Sequence, residues 1–476
     1  MLVRDFLKGL RFGRRAVNGR LKSQCLSTMS RFLSSHVGRN ILKLHDRGIF
    51  QSVFPEESTA RLLQQLESAP QSVYCGFDPT ADSLHIGNLL TIIALLHCQR
   101  AGHKPIILLG GATALIGDPS GKGKDRESIS AAQVEKNVRS ITDSLKRILS
   151  NHQQCLWKIH TDSIYPVRIL NNADWYRDKP VVEFLSEVGE HFRMGTMLNR
   201  HSVSSRLQSG AGMSFKEFSY QVFQSYDWYH LLRTHNCCIQ IGGGDQLGNI
   251  VAGYDFISKV TRQKVFGLTT PLITTTAGNK LGKTAGNAIW LDSKRTSPFQ
   301  LYQFFLNLPD TEVERYLTLF TFLSHKEIDE VMKKQKKTPE SRPAQTTVAE
   351  QVTLLVHGDD GLDAAKRWTE VLFGNKVEAL SKMGQSELCQ LFENTPTTEL
   401  LFEHGLTVMD VCIKAGCFTR EVDAERTIQE GGVSFNYQRV TSPDFVLIPG
   451  QHILSNNITL IRLGKKTYYI IKWLRS

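Results

Sequence analysis

Tyr74-Cys-Gly-Phe-Asp-Pro-Thr-Ala-Asp-Ser-Leu-His-Ile-Gly-Asn88 is the stretch that decides the fold. Residues 72–77 are apolar and β-prone, which predicts a strand. Asp78-Pro79 ends it, because proline has no N–H for a sheet ladder and favours turns. Asp82 or Ser83 then offers a helix N-cap, and residues 84–99 read as an apolar helix. His85 and Asn88 fall in its first turn, where backbone N–H groups left without helical partners favour an anion. A strand that delivers its end to a helix N-terminus is the binding corner of a doubly wound sheet.

The chain on either side repeats the same grammar. Residues 104–110 predict a second strand, apolar enough to be covered on both faces. A glycine-rich run, 110–122, follows and carries Asp118 and then Lys122, Lys124 and Arg126. It lacks the G-x-x-x-x-G-K-[ST] spacing of a Walker loop, and no G-x-G-x-x-G follows the first strand. Both common nucleotide-binding motifs are thereby excluded. Residues 131–149 predict an amphipathic helix, and 214–234 predict another with a core stripe of Phe215, Phe218, Val222, Leu231 and Leu232. Tyr220, Gln224 and Asp227 lie at i, i+4 and i+7 on that helix, hence on one face. From spacing alone this stripe meets either water or a ligand. Residues 237–241 predict a strand running into Gly242-Gly-Gly-Asp-Gln246, and Asn279-Lys-Leu-Gly-Lys-Thr284 reads as a polar, lysine-paired loop.

Beyond Ser297 the pattern is helical, with segments expected at 298–308, 311–322, 325–334, 344–356 and 361–373. Earlier, 40–50 and 59–67 read as short helices. Two further helices are expected at 408–415 and 421–430, then a small β unit over 431–440 and strands at 458–463 and 466–473. Residues 431–476 hold six basic side chains against Asp444 alone, interleaved with Tyr468, Tyr469 and Trp473. Charge for phosphates beside aromatics for bases suits RNA.

The net charge is +11, and residues 1–40 carry nine basic residues against Asp5, which accounts for eight of those charges. An arginine-rich, serine-containing, acid-poor start is the composition of a mitochondrial transit peptide. The longest nearly apolar run, 89–98, is far short of the ~20 residues of a membrane span. Nine cysteines, an odd number without a C-x-x-C pair, point away from a zinc ribbon and toward a reducing compartment.

Six separated blocks, in order, resemble one family. They are Y-C-G-F-D-P-T from Tyr74; His85-Ile86-Gly87-Asn88, in the place of the HIGH signature; G-G-A-T-A-L-I-G-D-P-S-G-K from Gly110; F-S-Y-x-x-x-Q-x-x-D ending at Asp227; Q-I-G-G-G-D-Q from Gln240; and Lys280-Leu-Gly-Lys-Thr284, where class I enzymes carry KMSKS. The chain from about residue 40 onward resembles the class I aminoacyl-tRNA synthetases, specifically tyrosyl enzymes of the bacterial and mitochondrial type. The resemblance implies an α/β fold: a doubly wound, Rossmann-like parallel-sheet catalytic domain (41–296) after a transit peptide (1–40). A helical anticodon-binding domain (297–400) and a small α+β, S4-like RNA-binding domain (401–476) would follow.

It also implies a reaction and a site. L-Tyrosine would be activated by ATP and passed to the terminal adenosine of tRNA(Tyr) in the mitochondrial matrix. Tyr74 and Asp227 would hydrogen-bond the phenol. Asp118, Tyr220 and Gln224 would grip the ammonium, with Gln240 and Gln246 completing the pocket. Asp78, Thr80, Gly87, Gly242 and Asp245 would hold ATP. His85 and Asn88 would stabilise the phosphates, and Lys280, Lys283, Thr284, Lys122 and Arg126 would fold over the pyrophosphate. Mg²⁺ would arrive on the nucleotide, with no metal bound by the protein itself, no membrane partner and a homodimeric assembly. Two departures stand out: Asn88 for the usual second histidine, and Gly244 for a common serine. The competing readings are a tryptophanyl enzyme, against which a phenol-binding pair argues, and a synthetase-derived RNA-binding protein without activation.

Overall fold

The computed structural model describes residues 38–120, 127–157, 165–208, 212–273, 288–374, 377–384, 387, 396–464 and 467–474. By its internal contacts the chain forms two compact units. One contains the described residues up to Arg295 together with 310–344; the other contains Thr296–Pro309 and everything described from Gln345 onward. The helical stretch expected as one domain over 297–400 is therefore shared between the two.

The first unit is built on a six-stranded sheet. Its strands are β1 (Ser52–Phe54), β2 (Ser72–Phe77), β3 (Lys104–Leu109), β4 (Arg168–Asn171), β5 (Cys237–Gly243) and β6 (Phe266–Thr270), in the order β1-β6-β5-β2-β3-β4. Strands β2 to β6 are parallel; β1 alone is antiparallel, on β6. The strand order turns at β2, which pairs with β3 on one side and with β5 on the other. In an open α/β sheet the crevice beyond the strand ends at such a point is where ligands bind. The interior strands read as apolar runs because helices cover both faces: Val73, Cys75, Ile107, Ile239 and Leu268 are all fully buried.

The helix after β2 spans Ile86–Arg100, two residues later than expected, and its N-cap is His85 rather than Asp82 or Ser83. The long helix Phe215–His235 starts from Ser214, whose hydroxyl accepts from the Glu217 N–H, and ends at Asn236 in the left-handed region. Its buried face has Phe218, Val222, Leu231 and Leu232 as expected, and Trp228 as well. Phe215, expected in the core, is 75% exposed as the first residue of the helix. The expected helix at 40–50 is only one 3₁₀ turn, Ile41–His45. Just after it, Arg47 donates to the carbonyls of Thr318, Thr321 and Leu323, which fixes the end of the helix Asp310–Phe320. No described helix is long and apolar enough to cross a membrane.

The second unit carries the helix Pro298–Leu306 and, from Gln345 on, the long helix Pro343–Phe373, which is interrupted where Gly358 takes φ 73°. It ends in a five-stranded sheet of β7 (Thr397–Leu401), β8 (Val433–Phe435), β9 (Gln438–Val440), β10 (Ile458–Leu463) and β11 (Thr467–Leu474), ordered β7-β11-β10-β8-β9. The expected β unit is the β8–β9 hairpin. Asn436 and Tyr437 turn it with positive φ, as a two-residue hairpin loop requires. The parallel strand β7 gave no usable signal in the sequence and straddles the boundary expected between 400 and 401.

Candidate active site

At the C-terminal ends of β2 and β5 a cleft of about 470 Å³ opens, within the usual range for a small-molecule site. It gathers Tyr74, Asp78, Thr80, His85, Gly87, Asn88, Asp118, Tyr220, Gln224, Asp227, Gln240, Gly242, Asp245 and Gln246 from segments far apart in the chain. Every one of these fourteen was expected there from sequence. The remaining five, Lys122, Arg126, Lys280, Lys283 and Thr284, lie outside the described residues.

One end of the cleft is buried and built to meet a hydroxyl. Tyr74 on β2 is 1% exposed, and its own hydroxyl has no hydrogen-bond partner among the described residues. Gln240 stands opposite it on β5. The Asp227 carboxylate accepts from Asn172 Nδ2 at 3.0 Å and from the Trp175 indole N–H at 2.9 Å. Burial pushes its pKa up to about 7, against the opposing pull of donors on Asn172, Trp175 and Tyr176. Burial and the nearby Asp227 charge together push the Tyr74 phenol well above its ordinary value, so this hydroxyl keeps its proton.

Asn172 and Trp175 were not expected from sequence. Asn172 is fully buried: its Oδ1 accepts from the Ala112 N–H at 2.7 Å, and its amide donates to Thr113 as well as Asp227. It thus ties the turn after β3 to the Phe215–His235 helix. The signal was slight, a pair of asparagines just after an unrecognised strand.

A second chain of bonds runs along the middle. Asp78 accepts from Thr113 Oγ1 at 2.7 Å and from the Tyr220 hydroxyl at 2.8 Å. Tyr220 therefore faces the cleft as expected, but its proton is committed to Asp78. Gly110 makes the Asp78–Thr113 bond possible, since a Cβ there would overlap both the Asp78 carboxylate and the Thr113 hydroxyl. Asp118 accepts from the Ser120 N–H at 2.9 Å and from Gln246 Nε2 at 2.7 Å, so two of the expected residues hold each other. The Gln224 Oε1 is buried without a partner.

At the other end, the helix N-terminus is satisfied differently from expectation. The Ile86 N–H goes to the Ile289 carbonyl, the Gly87 N–H to His85 Nδ1 and the Asn88 N–H to the His85 carbonyl. Backbone donors are thus already spent, and side chains must serve an anion instead. Accepting at Nδ1 leaves the proton of a neutral His85 ring on Nε2. Asn88 Oδ1 accepts from the His85 N–H at 3.0 Å, so its amide group is the part left to reach outward. The segment after residue 287 is pinned beside this corner: Leu291 N–H donates to the Leu84 carbonyl, and Trp290 lines the cleft. Before residue 274, Thr270, Pro271, Leu272 and Ile273 line it too.

Comparison with known proteins identifies the family. The family described as "tRNA synthetases class I (W and Y)" matches residues 66–374, and "Tyrosine--tRNA ligase SYY-like C-terminal domain" matches 387–471. The mitochondrial tyrosine--tRNA ligase of Drosophila melanogaster is 51% identical over 438 residues, covering 91% of this chain and 94% of that protein. The Homo sapiens mitochondrial enzyme is also 51% identical, over 90% and 91% of the two chains. Among solved structures, a C-terminally truncated mitochondrial tyrosyl-tRNA synthetase from Aspergillus nidulans superposes with a TM-score of 0.64 at 35% identity. It covers 70% of this chain and 94% of that one. A chain so closely matched along nine-tenths of its length, with this cleft at the turn of its sheet, belongs to the tyrosyl-tRNA synthetase family of class I, in its mitochondrial branch.

Proposed function

We infer that this cleft activates L-tyrosine with ATP and that the chain then transfers the tyrosyl group to tRNA(Tyr) in mitochondria. The observation that carries the reading is the pairing of a buried carboxylate, Asp227, with a buried hydroxyl, Tyr74, that has no protein partner. A substrate phenol can donate to the first and accept from the second. Phenylalanine offers neither, and leaves both groups buried and poorly bonded, which is how a polar pocket rejects the analogue that lacks its hydroxyl; this family is itself the known illustration of that rule.

In the first step the tyrosine carboxylate attacks the α-phosphorus of ATP and pyrophosphate leaves, giving tyrosyl-adenylate. In the second, a ribose hydroxyl of the terminal adenosine attacks the activated carbonyl and AMP leaves. The protein needs no nucleophile of its own; its work is positioning and charge stabilisation. Asp118, fixed by Gln246, and the Gln224 carbonyl oxygen suit an ammonium group; the Tyr220 oxygen still offers lone pairs toward it. Gln240 completes the tyrosine pocket. Asp78, Thr80, Gly87, Gly242 and Asp245 line the adjoining half and are assigned to ATP. The His85 Nε2–H and the Asn88 amide are donors for phosphate oxygens as charge grows on the leaving group. Lys280, Lys283, Thr284, Lys122 and Arg126 are assigned to the pyrophosphate; the described residues on both sides of 274–287 line the cleft, which supports that placement.

Mg²⁺ is proposed to come with the triphosphate. Among the described residues no group of three or more His, Cys, Asp or Glu side chains is placed to cage a metal. The matrix is proposed as the compartment, with residues 1–40 as the transit peptide. The helical part of the chain is assigned to the anticodon and the C-terminal sheet to RNA through its basic residues; Trp473, expected to meet a base, is instead 5% exposed in the core of that sheet, with Tyr468 and Tyr469 packed against core clusters. A homodimer is proposed through the exposed apolar side chains of the helix Val181–Glu187: Val181, Val182 and Leu185 are 68%, 76% and 53% exposed.

The test is ATP–pyrophosphate exchange by protein starting near residue 40, with tyrosine, phenylalanine and tryptophan compared. Exchange with tyrosine alone is expected. Exchange driven equally by tryptophan, or RNA binding without any exchange, overturns the reading.

A further inference from the structure

We propose that His230 is a positioning residue for tyrosine recognition: its ring pins the Trp175 indole, and through it the Asp227 carboxylate that receives the substrate phenol. The inference rests on the assignment of Asp227 to the phenol. Three observations carry it. The His230 and Trp175 rings stack with centroids 4.3 Å apart and planes 17° apart. The Trp175 N–H donates to Asp227 Oδ1 at 2.9 Å. Asp227 and His230 are three residues apart on the Phe215–His235 helix, so one helical turn presents both the carboxylate and the ring that steadies its donor.

The two donors on Asp227 are secured in different ways. Asn172 is buried and locked through both ends of its amide. Trp175 is only half-buried and sits on a single short turn, Ala173–Tyr176. Among the described aromatic rings, His230 lies closest to it; Tyr176 is tilted at 6.4 Å. An indole has two side-chain torsions, and among the described residues Trp175 makes its hydrogen bond to Asp227 alone. Stacking on a flat ring removes the freedom to swing away from the carboxylate. Other aromatic rings stand nearby, with Tyr226 tilted at 6.4 Å from His230, so the stack belongs to a cluster of rings.

The mechanism makes a particular signature. If the indole loosens, Asp227 loses the direction of one lone pair, and the cost falls on ligands that use the carboxylate. Tyrosine uses it; phenylalanine and ATP do not. His230→Ala is therefore expected to raise the KM for tyrosine roughly 3- to 10-fold, the size of an aromatic pair. The KM for ATP and the kcat of exchange stay near wild type, and the tyrosine-over-phenylalanine preference falls by the same factor. His230→Phe keeps a flat ring and restores wild-type values. His230→Leu keeps bulk without a ring and behaves like the alanine variant, which separates stacking from space filling should the alanine variant fold poorly.

Steady-state exchange kinetics for the three variants, beside wild type and Asp227→Asn, test this. Equal losses for tyrosine and phenylalanine, or full activity in the leucine variant, overturn the role of His230. Should Asp227→Asn itself leave tyrosine kinetics untouched, the assignment of the phenol fails first, and that outcome is distinct from a silent His230→Ala.

Discussion

Asp227 and Tyr74 show how much a single buried group can carry. A carboxyl raised to about 7 is protonated at acid pH, and is then no longer a pure acceptor for the phenol. The kcat/KM for tyrosine in exchange is expected to climb from pH 5.5 with its midpoint near 7 and to level about one pH unit above that, and Asp227→Asn is expected to flatten the profile. Losing a bond to a charged acceptor should lower kcat/KM about 10- to 100-fold at pH 8. The stability effect has the opposite sense. Between the ordinary carboxyl value and about 7 the folded chain holds a proton that the unfolded chain has released, so stability declines as pH rises through that window. Melting curves of Asp227→Asn across pH 4–7 should lack that part of the decline. Tyr74→Phe removes a hydroxyl that has no protein partner. The free protein should melt within a degree or two of wild type or slightly higher, while the tyrosine KM rises about 5- to 10-fold, one neutral hydrogen bond.

At the scale of elements, the corner between β2 and the Ile86–Arg100 helix does two jobs with the same side chains. His85 and Asn88 cap the helix for each other and both line the cleft. Asn88→Ala should therefore cost about 0.5–2 kcal/mol of stability as a lost cap, and should also slow tyrosine-dependent exchange. A change in melting temperature with exchange rates untouched would confine Asn88 to the capping role. The turn after β3 is equally constrained. Gly110→Ala forces a methyl onto Asp78 and Thr113, and overpacking of this kind costs about 1–3 kcal/mol; it should also raise the ATP KM by displacing Asp78. Gly244 is different: a Cβ there meets nothing nearer than 3.6 Å. Gly244→Ser should leave exchange kinetics within about twofold of wild type, since nothing has to move.

For the whole molecule, the cleft is built entirely from residues of the first unit, so activation and RNA binding are expected to separate. A chain ended before β7 should retain tyrosine-dependent exchange and lose most tRNA charging. Such a chain bares Trp368, Val371, Leu380 and Met383, which pack against Leu454, Ile458, Leu460 and Ile470 of the second unit's sheet region, and its solubility should suffer accordingly. Assembly is tested at the Val181–Glu187 helix. Val182→Glu with Leu185→Glu should shift the sedimentation coefficient from dimer to monomer, because like charges on the proposed interface would be buried unpaired. A wild-type chain that sediments as a monomer at micromolar concentration would remove the dimer altogether.

The sequence by itself determined the alternation of strands and helices, the β2 corner and the polar stripe on the Phe215–His235 helix. All three are written in local periodicity: apolar runs, a proline break, and residues at i, i+4 and i+7. The fourteen residues that the family's motifs pointed to also line the cleft, because the blocks that carry them are short contiguous stretches. Only the tertiary structure decided that β2 lies between β3 and β5, strands separated by well over a hundred residues, and that β1 and β7 join their sheets at all. Short edge strands have weak local patterns and are fixed by the partner whose ladder they complete. The same holds for Asn172, Trp175 and His230. Their side chains look ordinary in the chain, and they gain a role only when packing of distant segments aims them at one buried carboxylate, where a low dielectric makes each donor count.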